Sequence, residues 1–393
     1  MKRFSLIHNS LLSGILMLLL MLFWAWGSGG EPEPVHFVYK AGLKSPEWYH
    51  TQARLWREEI ERNSTHGEAW KCYYLATEYS FWGQADAQAQ KRETLAEILE
   101  NAGRHVPDSY EYHLLRYRFD RENMAALEKA YQLQPHNPET YYDFLTYYEL
   151  NGDSAKVREF AGKLYQSHDI SRGLVDYNYN MLMSTAPNAI LLTNGDNDTY
   201  PGWMLQQAKS IRPDVTVLNI SLARAYRDYL ARKLAGKGIH IDAEALPGDD
   251  RFVPALCQVV AAADSEVPIY VAVTVSPQET RRFSDSLYTV GLAYRYRPGG
   301  FDNSRVLAEN WEKRFRLDYL KHGWYDEAGL SAPVEQQLNT NYIALLMILQ
   351  DYHRQRGEQS RAEALGGFAQ EIAQKTGRET ELKRYMKRIN QKD

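Results

Sequence analysis

Three short runs of aliphatic and β-branched residues, AILLTN (189–194), VTVLNISL (215–222) and IYVAVTV (269–275), are separated by helix-forming stretches. A strand that passes through a helix and rejoins its own sheet must return as a parallel strand, by a right-handed crossover. WMLQQAKSI, ARAYRDYLARKLAG and a third stretch near 254–263 supply the helices, so the spacing predicts a β-α-β-α-β unit. Such sheets place ligands beyond the carboxyl ends of their strands. All three ends are polar here: Asn194-Gly195-Asp196-Asn197-Asp198, then Asn219 with Ser221, then Thr274 with Ser276.

Gly195 lets the chain turn sharply off the first strand. Thr199 is placed to cap the next helix, with Pro201 in its first turn. One acid at such a junction is ordinary turn and helix-dipole chemistry. Two acids and two amides within five residues exceed it. The candidate ligand-binding residues are therefore Asn194, Asp196, Asn197, Asp198, Thr199, Asn219, Ser221 and Ser276. Asp196 and Asp198 are the candidate ligands for a divalent cation (Mg²⁺, Mn²⁺ or Ca²⁺), because hard cations prefer oxygen donors.

Complete catalytic sets are missing. Asp196-Asn197-Asp198 spells the DxD of metal-dependent glycosyltransferases, a three-letter match only. A haloacid-dehalogenase nucleophile motif would need Thr or Val where Tyr200 stands. No HxH, HExxH, GxSxG or Walker loop occurs. Arg295 and Arg297 in YRYRPGG could face an anion, although alternating Arg on a strand usually marks its solvent side.

From Ser45 to about Pro187 the signals are helical. Tyr49, Ala53, Trp56 and Ile60 share one helical face, and Gly83 is placed to end the helix that follows. The segment from Ser109 aligns with itself at a period of 31, with Tyr110 on Tyr141, Leu114 on Leu145, Tyr117 on Tyr148 and Ala130 on Ala161. This is a repeat of helix hairpins. It resembles the tetratricopeptide repeat in its aromatic, Leu and Tyr positions on the first helix, Gly152 in the turn and Pro135 closing the unit. That resemblance implies a stacked helical array that binds protein partners. Near the C-terminus, Tyr342, Leu345, Leu346, Leu349 and Tyr352 mark one helix, Gly357 ends it, and Leu365, Phe368, Ala369 and Ile372 mark the next.

Residues 11–27 form an uncharged apolar run, about 26 Å as a helix, preceded by Lys2 and Arg3 and followed by GGEPEP. The charge asymmetry places the N-terminus in the cytoplasm and the remainder outside it. Trp24 and Trp26 at the outer edge favour a retained anchor over a cleaved signal peptide, for which Ala25-Trp26-Gly27 would serve. The expected location is the bacterial inner membrane, single-pass, with the bulk of the chain periplasmic; the alternative is secretion. The net charge of -4 and the absence of a basic block with interleaved aromatics exclude a nucleic-acid partner. Cys72 and Cys257 lack the neighbours of a metal or redox motif, and their spacing leaves pairing open.

PNAILLTNGDNDTYPGWMLQQAKSIRPDVTVLNISL is similar to a signature in the extracytoplasmic C-terminal region of a family of multi-spanning membrane proteins. That family is of unknown function and is described as protein O-mannosyltransferase-like. The similarity continues more weakly through LYTVGLAYRYRPGG and covers roughly residues 172–330. It implies an envelope protein that keeps the soluble module, and it carries no catalytic residue over to this chain.

The expected architecture is α/β plus all-α. It comprises an anchor or signal peptide (1–30), a linker (31–44), a tetratricopeptide-like helical domain (45–187), a Rossmann-like parallel α/β domain with the acidic loop (188–332), and a C-terminal helical hairpin with a basic helix (333–393). The expected function is that of a membrane-anchored extracytoplasmic binding or scaffold protein in an envelope assembly. The alternative is a metal-dependent hydrolase or transferase that uses the GDND loop on a phosphorylated or glycosylated substrate.

Overall fold

The computed structural model describes residues 30–263, 266–322 and 329–389. The apolar run at 11–27 lies outside them, and among the described residues no helix is long and apolar enough to cross a membrane. The chain divides into two compact units: one runs to Phe37 and resumes over Leu43–Pro135, and the other comprises Val38–Gly42 and His136–Asp393.

The first unit is helical: α1 (Pro46–Arg62), α2 (Gly67–Ser80), α3 (Gln88–His105), α4 (Tyr110–Phe119) and α5 (Met124–Leu133). α1 packs on α2, α4 on α5, and α3 against both α2 and α4. Side chains of Ser45, Ser109 and Asn123 start α1, α4 and α5 by accepting a backbone N–H three residues on. α1 buries Tyr49, Gln52, Leu55, Trp56 and Ile60. Gly83, at φ 82°, lies in the turn beyond α2 rather than at its cap, because the helix already ends at Ser80.

Residues 31–37, expected as part of a linker, are packed on this unit. The Glu33 N–H donates to Gln52 Oε1 (2.7 Å), and the Trp56 indole donates to the Glu33 carbonyl (2.8 Å). The Val35 N–H meets the Cys72 thiol at 3.4 Å. Val35 and Phe37 are buried while Glu33 and His36 are exposed. Cys72 and Cys257 are both free and buried, and burial pushes the Cys72 thiol up to about 12.

The second unit opens with the turn of helix Val38–Ala41 and continues with α6 (Glu139–Asn151), α7 (Ser154–Ser167) and α8 (Arg172–Met183). The sheet region contains β1 (Ile190–Thr193), α9 (Asp196–Lys209), β2 (Thr216–Asn219), α10 (Ile220–Ala225), α11 (Arg227–Ala235), α12 (Phe252–Ala262), β3 (Ile269–Ala272), β4 (Leu287–Thr289) and β5 (Ala293–Tyr296). It ends in α13 (Asn303–Lys313), α14 (Ala332–Asn339), α15 (Asn341–Gln355), α16 (Gln359–Thr376) and α17 (Glu379–Ile389).

The strand order is β2-β1-β3-β5-β4. Ile190 pairs in parallel with Thr216 on one side and Ile269 on the other. The far half is antiparallel, with Tyr270 opposite Arg295 and Leu287 opposite Tyr296. This mixed sheet corrects the expectation of a parallel, Rossmann-like domain. Only three residues separate β4 from β5, far too few for a parallel crossover. Ile190, Leu191 and Leu192 of central β1 are fully buried, each worth about 2 kcal/mol of burial. Arg295 is half-buried, its guanidinium over Phe301 at 4.9 Å, and Arg297 is exposed.

The repeat positions do the same work in both units: Tyr110, Leu114 and Ala130 are buried in α4–α5, and Tyr141, Leu145 and Ala161 in α6–α7. In the C-terminal hairpin α15 packs on α16, with Gly357 at φ 76° between them. Asn180 of α8 bonds the Tyr342 hydroxyl (2.9 Å) and both backbone groups of Arg316, tying this end to the body of its unit.

Candidate functional site

The acidic loop joins β1 to α9. Helix α9 begins at Asp196 with Gly195 as its cap, four residues before the cap expected at Thr199. The cause is Asp198. Its carboxylate reaches back to accept the N–H groups of Asn194 and Gly195, both at 2.8 Å, in the manner of the third-residue acid of a capping box. The Thr274 hydroxyl, from the loop after β3, donates to the same carboxylate. Asp198 thus ties the ends of β1 and β3 together, where the strand order reverses about β1.

Asp198 is 3% exposed. Burial raises its carboxyl above the ordinary value, against the pull of the Thr274 hydroxyl and the Asn194 and Gly195 amides. Thr199 is also buried, sharing a hydrogen bond with the Thr193 hydroxyl (2.7 Å) and accepting one from the Asn219 amide (3.1 Å). The Asn219 side-chain oxygen, Oδ1, accepts from the N–H groups of Ser221 and Leu222, which caps α10.

Pro201 falls inside α9 rather than in its opening turn. Lacking an N–H, it leaves the carbonyl four residues back without its helical donor. That carbonyl belongs to Asn197, and the Asn178 side-chain amide from α8 takes it at 2.8 Å.

The candidate residues therefore sort into two surroundings. Asp198, Thr199 and Asn219 meet in a buried polar seam at the strand ends, together with Thr193 and Thr274. Asn194 and Asp196 are exposed, Asn197 is half-buried, Ser221 is exposed, and Ser276 caps the short turn Pro277–Thr280. The two acids do not converge: one is locked inward and the other lies on the surface. Among the described residues no three His, Cys, Asp or Glu side chains are grouped to hold a metal ion.

Asp196 and Asn197 border a narrow cleft of about 10 Å³, room for about one water, that is also lined by Tyr39, Lys40, Tyr142 and Asp169. Asp169 accepts from Lys40 (2.8 Å) and from the Tyr142 hydroxyl (2.6 Å), and the Tyr39 and Tyr142 rings sit 4.8 Å apart. Tyr200 packs edge-on to Tyr142 and shares a hydrogen bond with Thr146 (2.8 Å). Burial, then the Asp169 charge, drives the Tyr142 hydroxyl far above its usual value, so it stays protonated and keeps its donor on Asp169. Sequence reasoning missed these residues. Lys40 lies 129 positions from Asp169, and no local spacing announces such a pair.

Residues 174–235, which include the acidic loop, match the family described as TMEM260-associated domain 2. No curated protein matches the chain. Among solved structures, a monomeric mutant of IFIT1 with m7Gppp-AAAA is similar over 83% of this chain and 68% of that one, at 16% identity and a TM-score of 0.25.

Proposed function

We propose that the chain is a membrane-tethered, extracytoplasmic binding protein whose helical hairpins hold a protein partner in an envelope assembly. One observation carries the choice of binding over catalysis. Both oxygens of Asp198, the acid best placed for chemistry at the strand ends, are engaged by backbone amides of their own loop. The tether rests on the apolar run at 11–27 and on the match of residues 174–235 to the family described as TMEM260-associated domain 2.

A second reading, a metal-dependent hydrolase or transferase, draws on exposed Asp196 at the lip of the Lys40–Asp169 cleft. Calorimetric titration of the full chain with Mg²⁺, Mn²⁺ and Ca²⁺, beside an Asp196→Asn/Asp198→Asn variant, separates the two. Absence of saturable binding supports the binding-protein reading; binding that the folded variant loses supports the enzyme. The partner is sought by placing a photo-cross-linking amino acid at Trp82, which is 57% exposed, in intact membranes. A discrete adduct is expected, and its absence there and at Tyr147 counts against the proposal.

A further inference from the structure

The contacts between residues 31–37 and the first unit are those by which a protein reads another chain. The Glu33 backbone is held through its N–H by Gln52 and through its carbonyl by the Trp56 indole, at 2.7 and 2.8 Å. The Val35 backbone faces Cys72, whose sulfur is 3.4 Å from the N–H and 4.0 Å from the carbonyl. These bonds use only the backbone of the bound segment and suit any sequence; one exposed side-chain contact is added, the Trp48 indole donating to the Glu33 carboxylate at 3.4 Å. Selectivity falls to Val35 and Phe37, which are 1% and 5% exposed, with exposed His36 between them. This is the period-two pattern of an extended chain. The Arg118 guanidinium lies 5.1 Å from the Phe37 ring centroid and is itself fixed by Glu78 (2.6 Å) and the Tyr79 hydroxyl (3.1 Å). Backbone bonds that give affinity and alternate side-chain pockets that give selectivity are the general form of extended-peptide recognition.

We infer that the face built by α1, α2 and the Arg118 end of α4 is a peptide-binding site, occupied in cis by residues 31–37. Its partner is an extended segment with two apolar side chains two positions apart, the second aromatic, and it binds by displacing the resident segment. Gln52, a buried polar residue, has its acceptor answered by the guest backbone. The resident segment is tethered, which sets its local concentration in the millimolar range and hides the site from weak competitors. The inference deepens the proposed binding function and rests on it for the identity of the binding part.

The test uses the full chain and a fluorescent peptide of residues 30–38 as the probe. In a Val35→Asp/Phe37→Asp chain the resident segment loses both anchors, and the probe is expected to bind at least tenfold more tightly than to the native chain. A probe carrying the same two substitutions is expected not to bind. Equal affinity for the two chains, or for the two probes, overturns the inference. Hydrogen exchange on the native chain guards against a variant that fails to fold. The Glu33 and Val35 amides should exchange at least a hundredfold faster than amides at the centres of α1 and α2, through local release. Exchange at the same rate as those helices means the segment leaves only on unfolding and also overturns the inference. If the probe fails while the cross-linker at Trp82 still captures a discrete partner, this site falls and the broader binding function stands.

Discussion

The Asn178 side-chain amide stands in for the backbone N–H that Pro201 cannot offer to the Asn197 carbonyl. Its second hydrogen goes to the Leu174 carbonyl at 2.9 Å, so both donors serve backbone acceptors. Asn178→Ala is expected to cost about 1–3 kcal/mol, the penalty for a buried carbonyl left open. In a Pro201→Ala background the helix supplies its own donor, and the same change should cost less by about 1 kcal/mol or more. Denaturant unfolding of the four chains reads the coupling, and strict additivity refutes the substitution of one donor for the other.

Asp198→Asn keeps the shape of the side chain but turns one oxygen into a donor facing a backbone N–H. The expected loss is about 1–3 kcal/mol, with faster exchange of the Asn194 and Gly195 amides. The pH response is diagnostic as well. With the folded carboxyl raised above the unfolded one, the unfolded state releases its proton first. The native chain should therefore lose stability as pH rises from about 4 toward the raised value, and the variant should lack that slope.

Arg212 offers a contrasting pH signature. Its guanidinium donates to the carbonyls of Leu182, Thr185 and Ala186 and to both oxygens of Asp214, fastening the turn before β1 to the loop before β2. Arg212→Lys should destabilise by about 2 kcal/mol, because a point charge cannot reproduce that fork. Hydrogen bonds from Arg212 lower the Asp214 carboxyl from 3.8 to about 2. A depressed carboxyl stabilises above its unfolded value, so this contribution is lost as pH falls from about 4 to 2. Solvent around Asp214 holds its size to about 1 kcal/mol. Acid titration of thermal stability, native against Arg212→Lys, checks the sign.

Gly291 in the β4–β5 turn has no room for a side chain: an added Cβ would lie 2.2 Å from Ser184 Oγ and 2.7 Å from the Phe315 ring. Ser184 is itself engaged, donating to the Asn180 carbonyl and accepting from the Leu292 N–H. Gly291→Ala is expected to cost about 2–4 kcal/mol by thermal unfolding. A change below 0.5 kcal/mol would show that the turn can move aside.

What could be read from the sequence followed the range of the interactions. Central β1 and its parallel neighbours were legible because strands buried on both faces are written in continuous aliphatic residues. The antiparallel edge was not, since β4 has three residues, all half-buried, and its pairing depends on a glycine fitting against Ser184. The acids were visible as an excess of carboxylate and amide, but their roles were not. Asp198 acts through two amides a few residues away and a hydroxyl 76 positions on. Lys40 looked like linker because the carboxylate that holds it comes far later in the chain.

That distance has a consequence for biosynthesis. Lys40 belongs to the second unit, yet the whole of Leu43–Pro135 is translated before that unit resumes. Its partner Asp169 emerges 129 residues behind it, roughly 6 to 26 s at ordinary elongation rates. During that interval the Val38–Gly42 segment has been made and its docking place has not. A ribosome-bound chain stalled so that Pro135 has just cleared the exit tunnel should therefore carry a folded helical unit with Tyr39 and Lys40 still waiting for the other half of their structure.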